Sequence, residues 1–154
     1  MTPFVLSLKS TIDRVLSSLA ASKGLTYVDI DGSSLNSEQL LRASPAVAWS
    51  QTSYQDEMRT PFFTFMYQVG AVSVNDPAQY QSMDTLGAVL DVMGPGHSID
   101  IYDYSAVAGV SGPTGPTGGK LGDMIIIDAA AQPMASDLVE NLRIVNITAR
   151  GARY

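Results

Sequence analysis

The chain has 154 residues, the size of one ordinary domain, with 45% hydrophobic but only 16% charged residues, against ~25% charged in ordinary soluble domains. That balance excludes a disordered chain and implies that surface usually carried by charge is covered by neighbours. Nine basic against fifteen acidic residues give a net charge of −6, which argues against a basic clamp on DNA. The absence of cysteine excludes a disulfide framework, a thiol nucleophile and sulfur-based zinc sites, and a single His97 excludes multi-histidine metal sites.

Residues 3–23 read as an amphipathic helix with Thr2 as cap, Pro3 at the first position and Gly24 after the last turn. Leu8, Ile12, Val15, Leu16 and Leu19 fall on one face. The charges Lys9, Asp13 and Arg14 interrupt this segment, so it does not read as a signal peptide, and no apolar run reaches the ~20 residues a bilayer span needs. A cytoplasmic place of assembly is therefore expected. Residues 25–31 predict a short strand ending at the Asp31-Gly32 turn, and 37–42 a helical turn stopped before Pro45.

Two long strands follow, over 46–55 and 62–74, separated by the polar stretch 56–61. Val47, Trp49 and Gln51 share one side of the first. Phe63, Phe65, Tyr67 and Val69 share one side of the second, while Phe62 and Met66 on its other side predict a central strand covered on both faces. Asn75, Asp76 and Pro77 open a helix, with Tyr80, Met83, Leu86, Leu90 and Met93 as its expected buried face and Gly94-Pro95-Gly96 as its end. Strands are expected over 97–104, 124–129 and 139–149, with a long loop over 105–119. The order predicts one α+β domain spanning 1–154: a mixed, mainly antiparallel sheet with two main helices packed on it.

No motif carries a reaction. Gly115-Pro116-Thr117-Gly118-Gly119-Lys120 fails as a phosphate loop, because Thr114 holds a required glycine position and Leu121 stands where serine or threonine would bind magnesium. The run Gly112, Pro113, Gly115, Pro116, Gly118 and Gly119 reads instead as a flexible surface arm. Asp29-Ile30-Asp31-Gly32 lacks the further ligands of a calcium loop. Asp100 and Asp103, three apart on a strand, point to opposite faces unless a bulge intervenes. His97 has no nucleophile motif around it. No catalytic, cofactor-binding or metal-binding residue is assigned, and no cofactor is expected.

The charge layout is more informative. From Thr60 through Gly119 there is no lysine or arginine, whereas Asp76, Asp84, Asp91, Asp100 and Asp103 all lie there. Arg143, Arg150 and Arg153 cluster near the terminus. An acidic face and a basic face suit subunits that stack on unlike neighbours; a solvated acidic surface is the alternative.

The element order carries a resemblance. An amphipathic helix is followed by the strand Pro45-Ala46-Val47-Ala48-Trp49, by Gln55-Asp56-Glu57 leading into Pro61-Phe62-Phe63-Thr64-Phe65-Met66-Tyr67, by a helix opened at Asp76-Pro77, and by a closing strand from Glu140 to Thr148. This resembles the tail terminator and neck proteins of tailed bacteriophages, from whose smaller members it departs in the long insertion over 105–119. The resemblance implies a virion protein assembled as a ring, usually of six copies. Such a ring caps the tail tube and joins it to the neck or head connector, with DNA passing through its lumen without specific binding. Asp76, Asp84, Asp91, Asp100 and Asp103 are then candidate lumen or interface acids, and Arg143, Arg150 and Arg153 candidate ring-to-ring contacts. The partners expected are further copies of the chain, the tail tube and the neck proteins, and no membrane. Alternatives are another head–tail connector or tail-tube ring protein, a small-ligand-binding α+β module, or a hydrolase subunit using paired aspartates.

Overall fold

A computed structural model describes residues 4–33, 37–74, 80–103, 119–131 and 142–154. The first helix, α1 (Phe4–Lys23), buries Leu8, Ile12, Leu16 and Ala20, one residue per turn. It stops where Gly24 adopts φ 68°. There the Leu25 N–H donates to Ala20 O at 2.8 Å and the Gly24 N–H to Ala21 O at 3.3 Å. These bonds satisfy two of the carbonyls that a helix end leaves open, in a left-handed conformation that glycine adopts without steric cost.

The chain continues through β1 (Thr26–Asp29), the single helical turn α2 (Ile30–Ser33) and α3 (Ser37–Arg42). The paired strands β2 (Ala46–Asp56) and β3 (Phe62–Val72) come next, then α4 (Tyr80–Met93), β4 (Ser98–Tyr102), β5 (Lys120–Ala131) and β6 (Leu142–Arg153). The six strands form one sheet in the order β1-β2-β3-β6-β5-β4. Only β1 and β2 are parallel; the remaining pairs are antiparallel. The protein is therefore α+β, with a mixed, mostly antiparallel sheet carrying two main helices.

The sheet curls so far that α1 contacts both of its outer strands, β1 and β4. Its concave face holds the main core, where α1 and α4 cover Trp49, Phe63, Phe65, Tyr67, Met124, Ile126 and Ile147. Aromatic rings organise that core. Trp49 meets Tyr67 edge-on at 5.9 Å, Tyr67 stacks on Phe65 at 5.1 Å, and Phe63 lies between Phe4 and Tyr54. A second, smaller core forms on the opposite face, where Val28, Ala46, Ala48 and Val72 meet Ile30, Leu40 and Ala43.

Three sequence expectations change. Strand β3 is central, as its aromatic run indicates, but it is covered on both faces only toward Val72; Phe62 and Met66 are each 40% exposed. The closing strand reaches Arg153, and β5 starts at Lys120, because the two pair from Gly122↔Arg153 onward. The turn at Asp31 is helical, and the Asp31 carboxylate accepts the Gln51 N–H at 2.7 Å. The Gly/Pro-rich arm from Gly112 to Gly118 lies outside the described residues; Gly119 accepts the Asp103 N–H at 3.2 Å.

Close strand packing makes Gly151 sensitive. A Cβ there would stand 2.2 Å from Asp123 O, 2.6 Å from Phe63 Cζ and 2.7 Å from Met124 Cβ, so backbone and core must both shift. Gly151→Ala is expected to destabilise the protein by about 1–3 kcal/mol. An unchanged urea midpoint would contradict the packing described.

Candidate functional site

The most constrained polar cluster lies where α1 meets the first strands. Asp13 is fully buried. One carboxylate oxygen accepts hydrogen bonds from the Tyr27 hydroxyl and, at 2.9 Å, from the Trp49 indole N–H. The other takes the Lys9 ammonium at 3.0 Å, which also pairs with buried Asp29. Lys9 Nζ lies 5.5 Å from the centre of the Trp49 ring. A charged group survives in such a place only when paired and hydrogen-bonded. Asp29 thus belongs to this network rather than to a solvent-facing turn, and the cluster reads as a structural lock with its ion pairs satisfied. The helical spacing of Lys9 and Asp13 was the only sequence signal for it; their meeting with Tyr27, Asp29 and Trp49 needs the fold.

Helix α4 differs from its sequence expectation in orientation. It buries Ser82, Thr85, Val89 and Met93, while Tyr80, Met83 and Leu90 are 78%, 57% and 37% exposed. The helix lies over the far half of β3: the Ser73 hydroxyl donates to Gln81 Oε1 at 2.6 Å, and the Tyr67 hydroxyl reaches Met93 Sδ at 3.4 Å. Small hydroxyl-bearing residues bring its axis close to a sheet face already filled by aromatic rings. Of the expected face, Met93 is buried and Leu86 packs partly buried against the core, while Tyr80, Met83 and Leu90 are left outside. A signal was present in the sequence: Val89 and Val92 lie off the expected stripe and give the helix a second apolar side.

The convex face of the sheet presents a second apolar surface. Phe62, Ile125 and Ile127, with Asp123, Arg150, Gly151 and Ala152, line an open groove of about 380 Å³. The β2–β3 hairpin end that borders it is clamped to β6. Arg150 binds both Glu57 oxygens at 3.1 and 3.3 Å and lies over the Phe62 ring at 4.9 Å. Arg153 pairs with Asp56 at 3.0 Å and covers Phe4 at 5.4 Å. Each pair is solvent-exposed and contributes about 0.2–1 kcal/mol. The hairpin end displays Met58, 85% exposed, and Arg59, which holds φ 60°.

The acids assigned from the sequence do not form one cluster by pairing. Asp84 of α4 binds Lys23 at 3.1 Å. Asp100 of β4 binds Lys120 at 3.0 Å, and that hydrogen bond holds the Lys120 ammonium above its usual pKa. Asp91 is exposed on α4 and has no ion-pair partner among the described residues. Strand β4 is irregular between Ile101 and Tyr102, so simple alternation does not carry from Asp100 to Asp103. Asp76 lies outside the described residues. Arg150 and Arg153 form the intrachain clamps above, whereas Arg143 is half-buried opposite Ala71. His97 Nδ1 lies 3.0 Å from Gly94 O, in the turn that ends α4. A second open groove of about 600 Å³ runs between α1 and β4, with Arg14, Leu19, Val92, Asp100 and Tyr102 among its walls. No helix among the described residues is long and apolar enough to cross a membrane.

The Asp13 network sets a pH response. Burial alone lowers the Lys9 pKa, but its hydrogen bonds to Asp29 and Asp13 outweigh burial and hold it above the ordinary 10.5. Burial raises the Tyr27 pKa above 10.0, and the bond to Asp13 adds to the rise. Both folded values exceed the unfolded ones, so above about pH 10 the unfolded chain binds fewer protons than the folded one. This contribution is complete below pH 10 and is lost as pH climbs through the folded values. Emission from the single Trp49 should report alkaline unfolding, with a shallower pH slope in Tyr27→Phe. Asp13→Ala should cost about 3 kcal/mol at neutral pH, the low end for breaking a buried pair because Lys9 keeps Asp29; a loss below about 1 kcal/mol in a urea titration would contradict the lock.

Comparison with protein-family models and with curated proteins returns no match.

Proposed function

We propose that the protein is a structural subunit of a ring in the neck of a tailed-phage virion. In this reading the ring, of six copies, caps the tail tube, offers its other side to the head connector and lets DNA pass through its lumen. The observation that supports it most directly is the surface of α4: an amphipathic helix turns Tyr80, Met83 and Leu90 away from its own core. Exposed contiguous apolar surface on a folded domain marks an interaction site. The groove around Phe62 and Ile125, open among the described residues, gives the same chain a second such surface. A sparse supply of charge, 16% of residues, fits subunits whose interface centres are depleted in charge.

The acidic middle of the chain then has a refined role. Asp84 and Asp100 carry intrachain cations, which weakens any field they project. Asp91 has no such partner among the described residues, and salt screens exposed charge over ~8–10 Å at physiological strength. Repulsion of passing DNA therefore needs a narrow channel.

Native mass measurement and negative-stain imaging test the assignment. A closed oligomer with a central channel is expected, together with no retention of duplex DNA at physiological salt. A monomer at every concentration tested would overturn the ring.

A further inference from the structure

Two apolar surfaces of this chain face away from each other. The α4 stripe lies on the concave side of the sheet, over the half of β3 that runs from Tyr67 to Ser73. The Phe62 groove lies on the convex side, at the strand's other end. The chain that leaves α4 returns to β5, where the Gly96 N–H donates to Ile126 O at 2.8 Å, so the two surfaces are set apart by the sheet that lies between them. Because they sit on opposite faces of the sheet, one copy cannot bring them together.

We propose that α4 of one copy docks in the Phe62–Ile125–Ile127 groove of the next, a head-to-tail contact between identical chains. This inference rests on the ring reading and names the surfaces that would close it. Shape supports it: a convex helical ridge carrying Tyr80, Met83 and Leu90 meets an open groove on a sheet. Charge supports it as well. The ionisable groups of α4 are Asp84, Asp91 and the Tyr80 phenol, with no base. Within the groove the charges are already met, Asp123 by Lys120 and Arg150 by Glu57; the hairpin end beside it carries Arg59, which has no ion-pair partner among the described residues, and neither has Asp91. Docking supplies each with an opposite charge, at the polar rim of an apolar contact. A contact between two different patches of the same chain is heterologous, so it propagates and closes into a ring when its rotation divides a full turn. A symmetric pairing of α4 with α4 would bring Asp84 and Asp91 against their own copies and would stop at a dimer.

The absence of cysteine makes the test direct. Met83→Cys and Ile125→Cys, both at exposed positions, are combined in one chain and treated with a short thiol-to-thiol cross-linker. A ladder of covalent oligomers up to the ring size is expected. A mixture of the two single variants should stop at covalent dimers, and each single variant alone should give none. Separately, Asp91→Arg or Arg59→Asp should weaken association by about tenfold or more, and the double swap should restore it. Buried Trp49 emission verifies that each variant is folded. Dimers from Met83→Cys alone would overturn the inference in favour of α4–α4 pairing. Rings that form without the ladder and ignore both charge reversals would also overturn it while leaving the ring reading intact; a wild-type monomer would remove both.

Discussion

Burial of the Asp13 carboxylate is the constraint on which the arrangement of this protein depends. A lone ionised carboxylate inside a core is prohibitive, so Asp13 demands that Lys9, Tyr27 and Trp49 converge on it at once. Those partners come from α1, β1 and β2. The network therefore fixes the height and rotation of α1 against the start of the sheet. A helix held by apolar contacts alone slides or turns at little cost, since methyl groups have no preferred partner; a buried charge with three directional donors has one position. Lys9 extends the lock to Asp29 at the end of β1, where the chain turns into α2.

With α1 locked, the curl of the sheet follows. The helix touches β1 on one side and β4 on the other, so the strands between them must wrap around it. Close approach of strands on the concave face needs positions without side chains. Gly122 and Gly151 supply them on adjacent strands, where a Cβ would meet carbonyl oxygens at 2.3 and 2.2 Å. The aromatic rings of β2 and β3 then fill the hollow. That filling decides how α4 packs: the floor is already occupied by Tyr67 and its neighbours, and the helix lies flat on Ser82, Thr85 and Val89, with its bulkier residues turned out.

The same packing organises the electrostatics. Arginines from β6 fold back over the β2–β3 hairpin, each pairing with one carboxylate and lying over one aromatic ring. Asp84 and Asp100 of the middle stretch are similarly met by Lys23 and Lys120 from distant parts of the chain. The sharp division of charge along the sequence is thus offset in space at Asp84 and Asp100. Among the described residues Asp91 and Arg59 keep no ion-pair partner, and both are exposed.

Periodicity by itself determined the element types, the centrality of β3 and the α+β class, because the spacing of Leu8, Ile12, Leu16 and of Phe63, Phe65, Tyr67 follows directly from helix and strand geometry. The end of α1 was equally legible, since Gly24 is the residue a left-handed cap requires. Local pattern ranks residues by apolarity, and it assigned Tyr80, Met83 and Leu90 to the core on that ground. Tertiary structure reversed the assignment, because the space under α4 is set by rings from strands far along the chain. It likewise decided the fate of Asp13, whose partners are 14 and 36 residues away, and of Arg150, whose partner is 93 residues away. Spacing along a chain specifies which side chains share a face; only the fold specifies what that face meets, since contact energy depends on distance in space and on the volume already filled.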